Sequence, residues 1–97
     1  GDSCASACTI LFTMGARRTA WSSSKFGFHS PQIESRLPRG LSRDYVMDYV
    51  RDLWIDAIAR VDTGLAHQIE SGRYLMRTDM RSLSGRQVNG GYVNDLR

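Results

Sequence analysis

The sequence predicts a mixed α/β fold, and three observations carry that expectation. An amphipathic stripe runs from Ser42 to Val61, two short strand-like segments flank a serine-rich turn, and a small apolar helix ended by glycine precedes them. Residues 7–14 are small and apolar and Gly15 follows, which reads as a short buried helix with a glycine stop. Thr9, Ile10 and Phe12 make a strand the competing reading. Residues 18–21 and 25–29 flank Ser22-Ser23-Ser24 and read as the two strands of a hairpin. Residues 31–40 hold both prolines and read as an irregular loop.

The long helix follows. Ser42 is placed to cap it, and Tyr45, Val46, Tyr49, Val50, Leu53, Trp54, Ala57, Ile58 and Val61 recur in steps of three and one. Asp62-Thr63 starts a shorter helix bearing Leu65, Ala66 and Ile69, which Gly72 ends. Residues 74–76 read as a short strand, residues 83–91 as a last small helix and turn, and Tyr92-Val93 as extended chain. A lone hairpin is marginal in water, so these strands need partners from a longer chain or another subunit.

A chain of 97 residues with 41% apolar and 24% charged residues is an ordinary single-domain composition. The net charge of +3 comes from arginine, with Lys25 the only lysine. The arginines are scattered and acids interleave with them from Asp44 to Glu70, so a nucleic-acid interface is not expected. There is no apolar run of about 18 residues, so no membrane span is expected, and residues 1–8 lack the pattern of a signal peptide. Cys4 and Cys8 lie one helical turn apart, neither a zinc nor a C-x-x-C spacing. Two small buried hydrophobes is the expectation, with a local disulfide in an oxidising compartment as the alternative.

Chemistry centres on Cys4-Ala5-Ser6-Ala7-Cys8. Small neighbours leave the Ser6 hydroxyl open to a substrate backbone, and the N–H of Ala7 is free to hold a developing oxyanion. A serine needs a base, and the histidines are His29, at a strand end before Ser30-Pro31, and His67, on a polar helix face. Gly1-Asp2-Ser3 invites comparison with Gly-Asp-Ser esterases, but the apolar strand before the glycine and a later Asp-x-x-His are missing. Ser6 and His29 also have plain structural readings, a helix cap and a strand-end hydrogen bonder.

The run Ser6-Ala7-Cys8-Thr9-Ile10-Leu11-Phe12-Thr13-Met14-Gly15-Ala16, two short strands and then Phe28-His29-Ser30-Pro31 resembles the nucleophile helix and histidine strand of the Clp-type serine proteases of the crotonase superfamily. Its flavour is similar to a poorly characterised exported branch. Residues 79–84 and 91–95 resemble the family's aspartate segment and closing turn, with one residue more than usual between Asp79 and Leu83-Ser84. The resemblance implies a Clp/crotonase-like ββα spiral, with residues 1–97 a single partial domain forming its C-terminal half. It implies a serine hydrolase, a peptidase, in which Ser6 attacks, His29 moves the proton, Asp79 orients the imidazole and Ala7 N–H holds the oxyanion. Asp62, Asp44 and Asp95 are weaker candidates for the acid. No cofactor or metal is implied. The implied partners are a peptide or protein substrate and further copies of the chain, joined through the Ser42–Val61 helix, in a periplasmic or exported setting. The second oxyanion donor of such enzymes lies on a glycine-bearing strand upstream of the nucleophile, which has no counterpart here. The rival reading is a non-catalytic crotonase-fold interaction or oligomerisation module.

Overall fold

The computed structural model describes residues 3–33 and 36–97. Gly1 and Asp2 of the esterase comparison, and residues 34–35 of the expected loop, lie outside the described residues. The elements are β1 (Ser3–Ala5), α1 (Ala7–Leu11) continued by a 3₁₀ turn (Phe12–Met14), β2 (Thr19–Ala20), β3 (Lys25–Phe28), α2 (Arg43–Ala59), α3 (Thr63–Ser71), a second 3₁₀ turn (Tyr74–Met76), β4 (Arg81–Ser84) and β5 (Asp95–Leu96). It is a small mixed α/β domain, as the sequence predicts.

The strand pairing differs from the expected hairpin. β3 is the centre of a three-stranded sheet of order β1-β3-β4, parallel to β1 and antiparallel to β4. β2 pairs instead with β5, in parallel, at the far end of the sequence. The serine turn therefore separates two sheets. Its buried Ser24 hydroxyl accepts from Trp21 N–H, and Ser24 C=O accepts from Gly85 N–H. Residues 74–76 form a 3₁₀ turn and not a strand, and Leu83-Ser84 close β4 where a helix is expected. The extended pattern of Arg81–Ser84 is enforced by its ladder with β3, which puts Leu83 opposite Phe26 in the core.

The helices follow their local signals. Ser42 accepts from Tyr45 N–H at 3.0 Å and Asp62 from Leu65 N–H at 2.9 Å, capping α2 and α3. Gly72 closes α3, its N–H bonding Gln68 C=O. The stripe on α2 is buried only toward its C-terminal half. Ile58 is fully buried and Trp54 and Ile55 pack on the core, whereas Tyr45, Tyr49 and Leu53 are exposed. The domain is elongated, 47 × 25 × 23 Å. Among the described residues, no helix is long and apolar enough to cross a membrane.

The core is organised by Tyr92. It is 0% exposed, and its ring meets Phe12 at 5.0 Å, Phe26 at 5.2 Å and Phe28 at 6.4 Å. Its hydroxyl donates to Thr9 C=O on α1 at 2.5 Å, and burial pushes its ionisation well above the usual phenol range. Arg18 reinforces the same join, donating to Tyr92 C=O, Gly91 C=O and Gly15 C=O. Asp62 Oδ2 accepts from Tyr92 N–H, so the α3 cap also holds this turn. The C-terminal residues thus fasten α1 and the loop after it to the rest of the domain.

Candidate active site at the ends of two parallel strands

Ser6 is the single residue between β1 and α1, and its backbone lies at φ 57, ψ −123. A strand running into a helix through one residue requires a sharp reversal, and this conformation is the one glycine supplies in tight turns. A serine there has a strained backbone, costing on the order of 1–3 kcal/mol that the surroundings must hold. Ser6 N–H donates to Gly27 C=O at 2.9 Å, and Ser6 C=O accepts from both Thr9 N–H and the Thr9 hydroxyl. Thr9 is buried and serves as the anchor beneath the turn. Among the described residues, no group accepts from Ala7 N–H and no hydrogen bond engages the Ser6 hydroxyl.

The expectation that Cys4 and Cys8 are two packed thiols is corrected. They form a disulfide with Cα atoms 5.3 Å apart, tying the middle of β1 to the first turn of α1 around Ser6. The geometry follows from the sharp turn at Ser6, which folds the strand end back against the helix start and brings two residues four apart into bonding range.

The β1–β3 register pairs Ser3 with Lys25, Cys4 with Phe26 and Ala5 with Gly27. One further step places Ser6 beside Phe28 and one residue from His29. Ser6 and His29 leave the sheet at the C-terminal ends of adjacent parallel strands. His29 is half-buried, and its Nδ1 lies 2.7 Å from Ser30 C=O. A carbonyl only accepts, so Nδ1 carries a proton, and the tautomer this contact selects has its lone pair on Nε2. That is the tautomer a general base requires.

Asp79 lies in the segment between the second 3₁₀ turn and β4. Because β4 is antiparallel to β3, with Phe28 opposite Arg81, this segment passes the same sheet end. Ser30 N–H donates to Arg77 C=O at 2.7 Å, joining the histidine loop to it. The Asp79 carboxylate is exposed and pairs with Arg77 at 3.0 Å, which holds its ionisation below the usual carboxylate range. The orienting hydrogen bond on the imidazole comes from Ser30, and the bond on Asp79 comes from Arg77. Of the weaker acid candidates, Asp62 caps α3, Asp95 bonds Thr19 and pairs with Arg17 and Arg97, and Asp44 sits in the first turn of α2. His67 is exposed on α3. No group of three or more metal-ligating side chains gathers among the described residues.

Residues 3–5 escape sequence reasoning as a strand because Ser, Cys and Ala carry no strand signature. The strained turn escapes it for the same reason, since positive φ at a non-glycine is not a composition signal. The usable signal is the symmetry of Cys4 and Cys8 about Ser6.

The fold is similar to part of a peptidase of known structure. A crystal structure of a peptidase from Plasmodium falciparum superimposes with a TM-score of 0.65 at 12% sequence identity. The match covers 100% of this chain and 54% of that one, so the chain spans about half the length of its structural neighbour. No family model and no curated protein matches the chain.

Proposed function

We propose that this chain carries the nucleophile and base of a serine hydrolase of the Clp/crotonase-like ββα-spiral fold, acting on a peptide or protein substrate. The observation that carries the reading is the strained strand-to-helix turn at Ser6, set beside the strand end that bears His29. Strained non-glycine residues cluster where a side chain must be presented in one orientation. The likeness to a peptidase supports the choice of substrate class.

In this reading Ser6 Oγ attacks the scissile carbonyl while His29 Nε2 removes its proton. The oxyanion accepts from Ala7 N–H, His29 returns the proton to the leaving amine, and water repeats the sequence to release the acid. Ser30 C=O keeps the ring in its working tautomer, and Asp79 supplies negative charge at the edge of the site. Labelling with a fluorophosphonate, followed by peptide mapping, tests this directly. An adduct on Ser6 is expected; an adduct confined to other residues, or none, sinks the reading. His29→Ala is expected to slow labelling by about 10²–10⁴-fold. Asp79→Asn is expected to slow it less than about tenfold, because the imidazole proton is held by Ser30. A loss as large as that of His29→Ala would instead establish Asp79 as the triad acid.

One specific observation favours association as a second property. Tyr45, Tyr49 and Leu53 form an exposed stripe on α2, 65%, 58% and 49% exposed. We propose that this stripe joins copies of the chain. Sedimentation should show an assembly that Tyr49→Asp/Leu53→Asp reduces to monomer, with helix content unchanged; a wild-type monomer at tens of micromolar would rule it out.

A further inference from the structure

We infer that Cys4 and Cys8 are positioning residues whose disulfide holds Ser6 in its attacking conformation, so that the site works when the pair is oxidised and is switched off by a dithiol. This regulation rests on the hydrolase reading above for its catalytic consequence, and on the backbone of Ser6 for its structural one.

The case is built from what restrains Ser6. Its conformation is unfavourable for a residue with a Cβ, so an unrestrained chain returns to negative φ. On its N-terminal side the restraint is β1, a three-residue strand that among the described residues pairs with β3 alone, together with the Ser6 N–H bond to Gly27 C=O. On its C-terminal side it is the two bonds from buried Thr9 to Ser6 C=O, with Thr9 C=O held in turn by the Tyr92 hydroxyl. α1 has five residues, too few to be stable by its own hydrogen bonds. The covalent link from Cys4 to Cys8 spans both sides and keeps the strand end against the helix start. Opening it leaves the unfavourable torsion to be held by a short strand, the Ser6–Gly27 bond and the Thr9 anchor, without a covalent link between strand and helix.

The link is also accessible. Cys8 is exposed and Cys4 half-buried. Both line a shallow groove of about 240 Å³ shared with Ser24, Lys25 and Phe26. A dithiol thiolate attacks one sulfur and forms a mixed disulfide. Its second thiol then displaces that bond, leaving Cys4 and Cys8 as thiols and the reagent as a cyclic disulfide. Two electrons and two protons pass from reagent to protein.

Dithiothreitol provides the test, with two readouts. The first is the rate of fluorophosphonate adduct formation at Ser6. It should fall at least tenfold on reduction, recover on reoxidation, and stay at the low rate with or without reductant in Cys4→Ala/Cys8→Ala. The second is hydrogen exchange at the Ser6 amide, which donates to Gly27 C=O. Its protection should drop at least tenfold on reduction, while amides of α3 and of the β3–β4 ladder keep theirs. Equal labelling rates in oxidised, reduced and double-variant protein, with unchanged Ser6 exchange, overturn the inference and leave the hydrolase reading standing. An absence of labelling in every form, with exchange still redox-dependent, overturns the hydrolase reading and leaves the conformational lock. Loss of protection throughout α3 and the β3–β4 ladder would show a global fold effect and also overturn the inference.

Discussion

Under the proposed hydrolase reading, Ser6→Ala is expected to remove all fluorophosphonate labelling and any hydrolysis above background, with the melting temperature unchanged. Alanine keeps a Cβ at the same positive φ, so the backbone strain, the bond to Gly27 C=O and the bonds from Thr9 persist while the hydroxyl is gone. Ser6→Gly separates the roles further. Glycine adopts this torsion freely, so strain of about 1–3 kcal/mol is released against an entropy cost of about 0.5–1 kcal/mol. The expected result is an inactive protein more stable by about 1 kcal/mol, raising the melting temperature by roughly 4–8 °C for a domain of this size. A serine kept for packing or capping would give the opposite result, since its own replacement would cost stability. Thermal denaturation of the three proteins beside their labelling rates decides the matter. A Ser6→Gly protein less stable than wild type would contradict the strain argument.

The second large effect is on stability. Tyr92→Ala removes a fully buried ring that contacts three phenylalanines and costs about 3–5 kcal/mol, a large share of the 5–15 kcal/mol that domains typically possess. Urea denaturation should show the loss as a lower midpoint. Tyr92→Phe keeps the ring and removes only the hydrogen bond to Thr9, at about 0.5–1.5 kcal/mol. Thr9 also anchors Ser6 C=O, so the milder change should lower the Ser6 labelling rate more than its stability cost alone explains. Equal labelling in wild type and Tyr92→Phe would show that α1 is positioned without this bond.

How much of this is legible in the sequence depends on whether the deciding interaction is local. α2 and α3 are legible because period, cap and stop all lie within one segment, and Ser42, Asp62 and Gly72 do what their types predict. The burial of α2 is not, because periodicity reports a face and not what covers it. Tyr45, Tyr49 and Leu53 share the stripe with Ile58 but are exposed. The pairings of β1 with β3 and β2 with β5 are non-local, and strands of two or three residues leave no alternation to read. Tyr74–Met76 has strand-like composition but meets no ladder, and Arg81–Ser84 becomes a strand because β3 is there to pair with it. At the site, Ser6 and His29 are legible as residue types in a suggestive order. The torsion of Ser6, the disulfide around it and the carbonyl that holds His29 are products of folding.

The fastening of α1 by Tyr92 has a consequence for how the protein is made. The two groups that bond are 83 residues apart, and Arg18 reaches across almost the same interval. A ribosome adding about 5–20 residues each second leaves the serine waiting on the order of ten seconds for its support. During that interval the emerging polypeptide holds Ser6 without the ring that seats its helix, so under the proposed reading a nascent chain should remain inert until Tyr92 clears the exit tunnel.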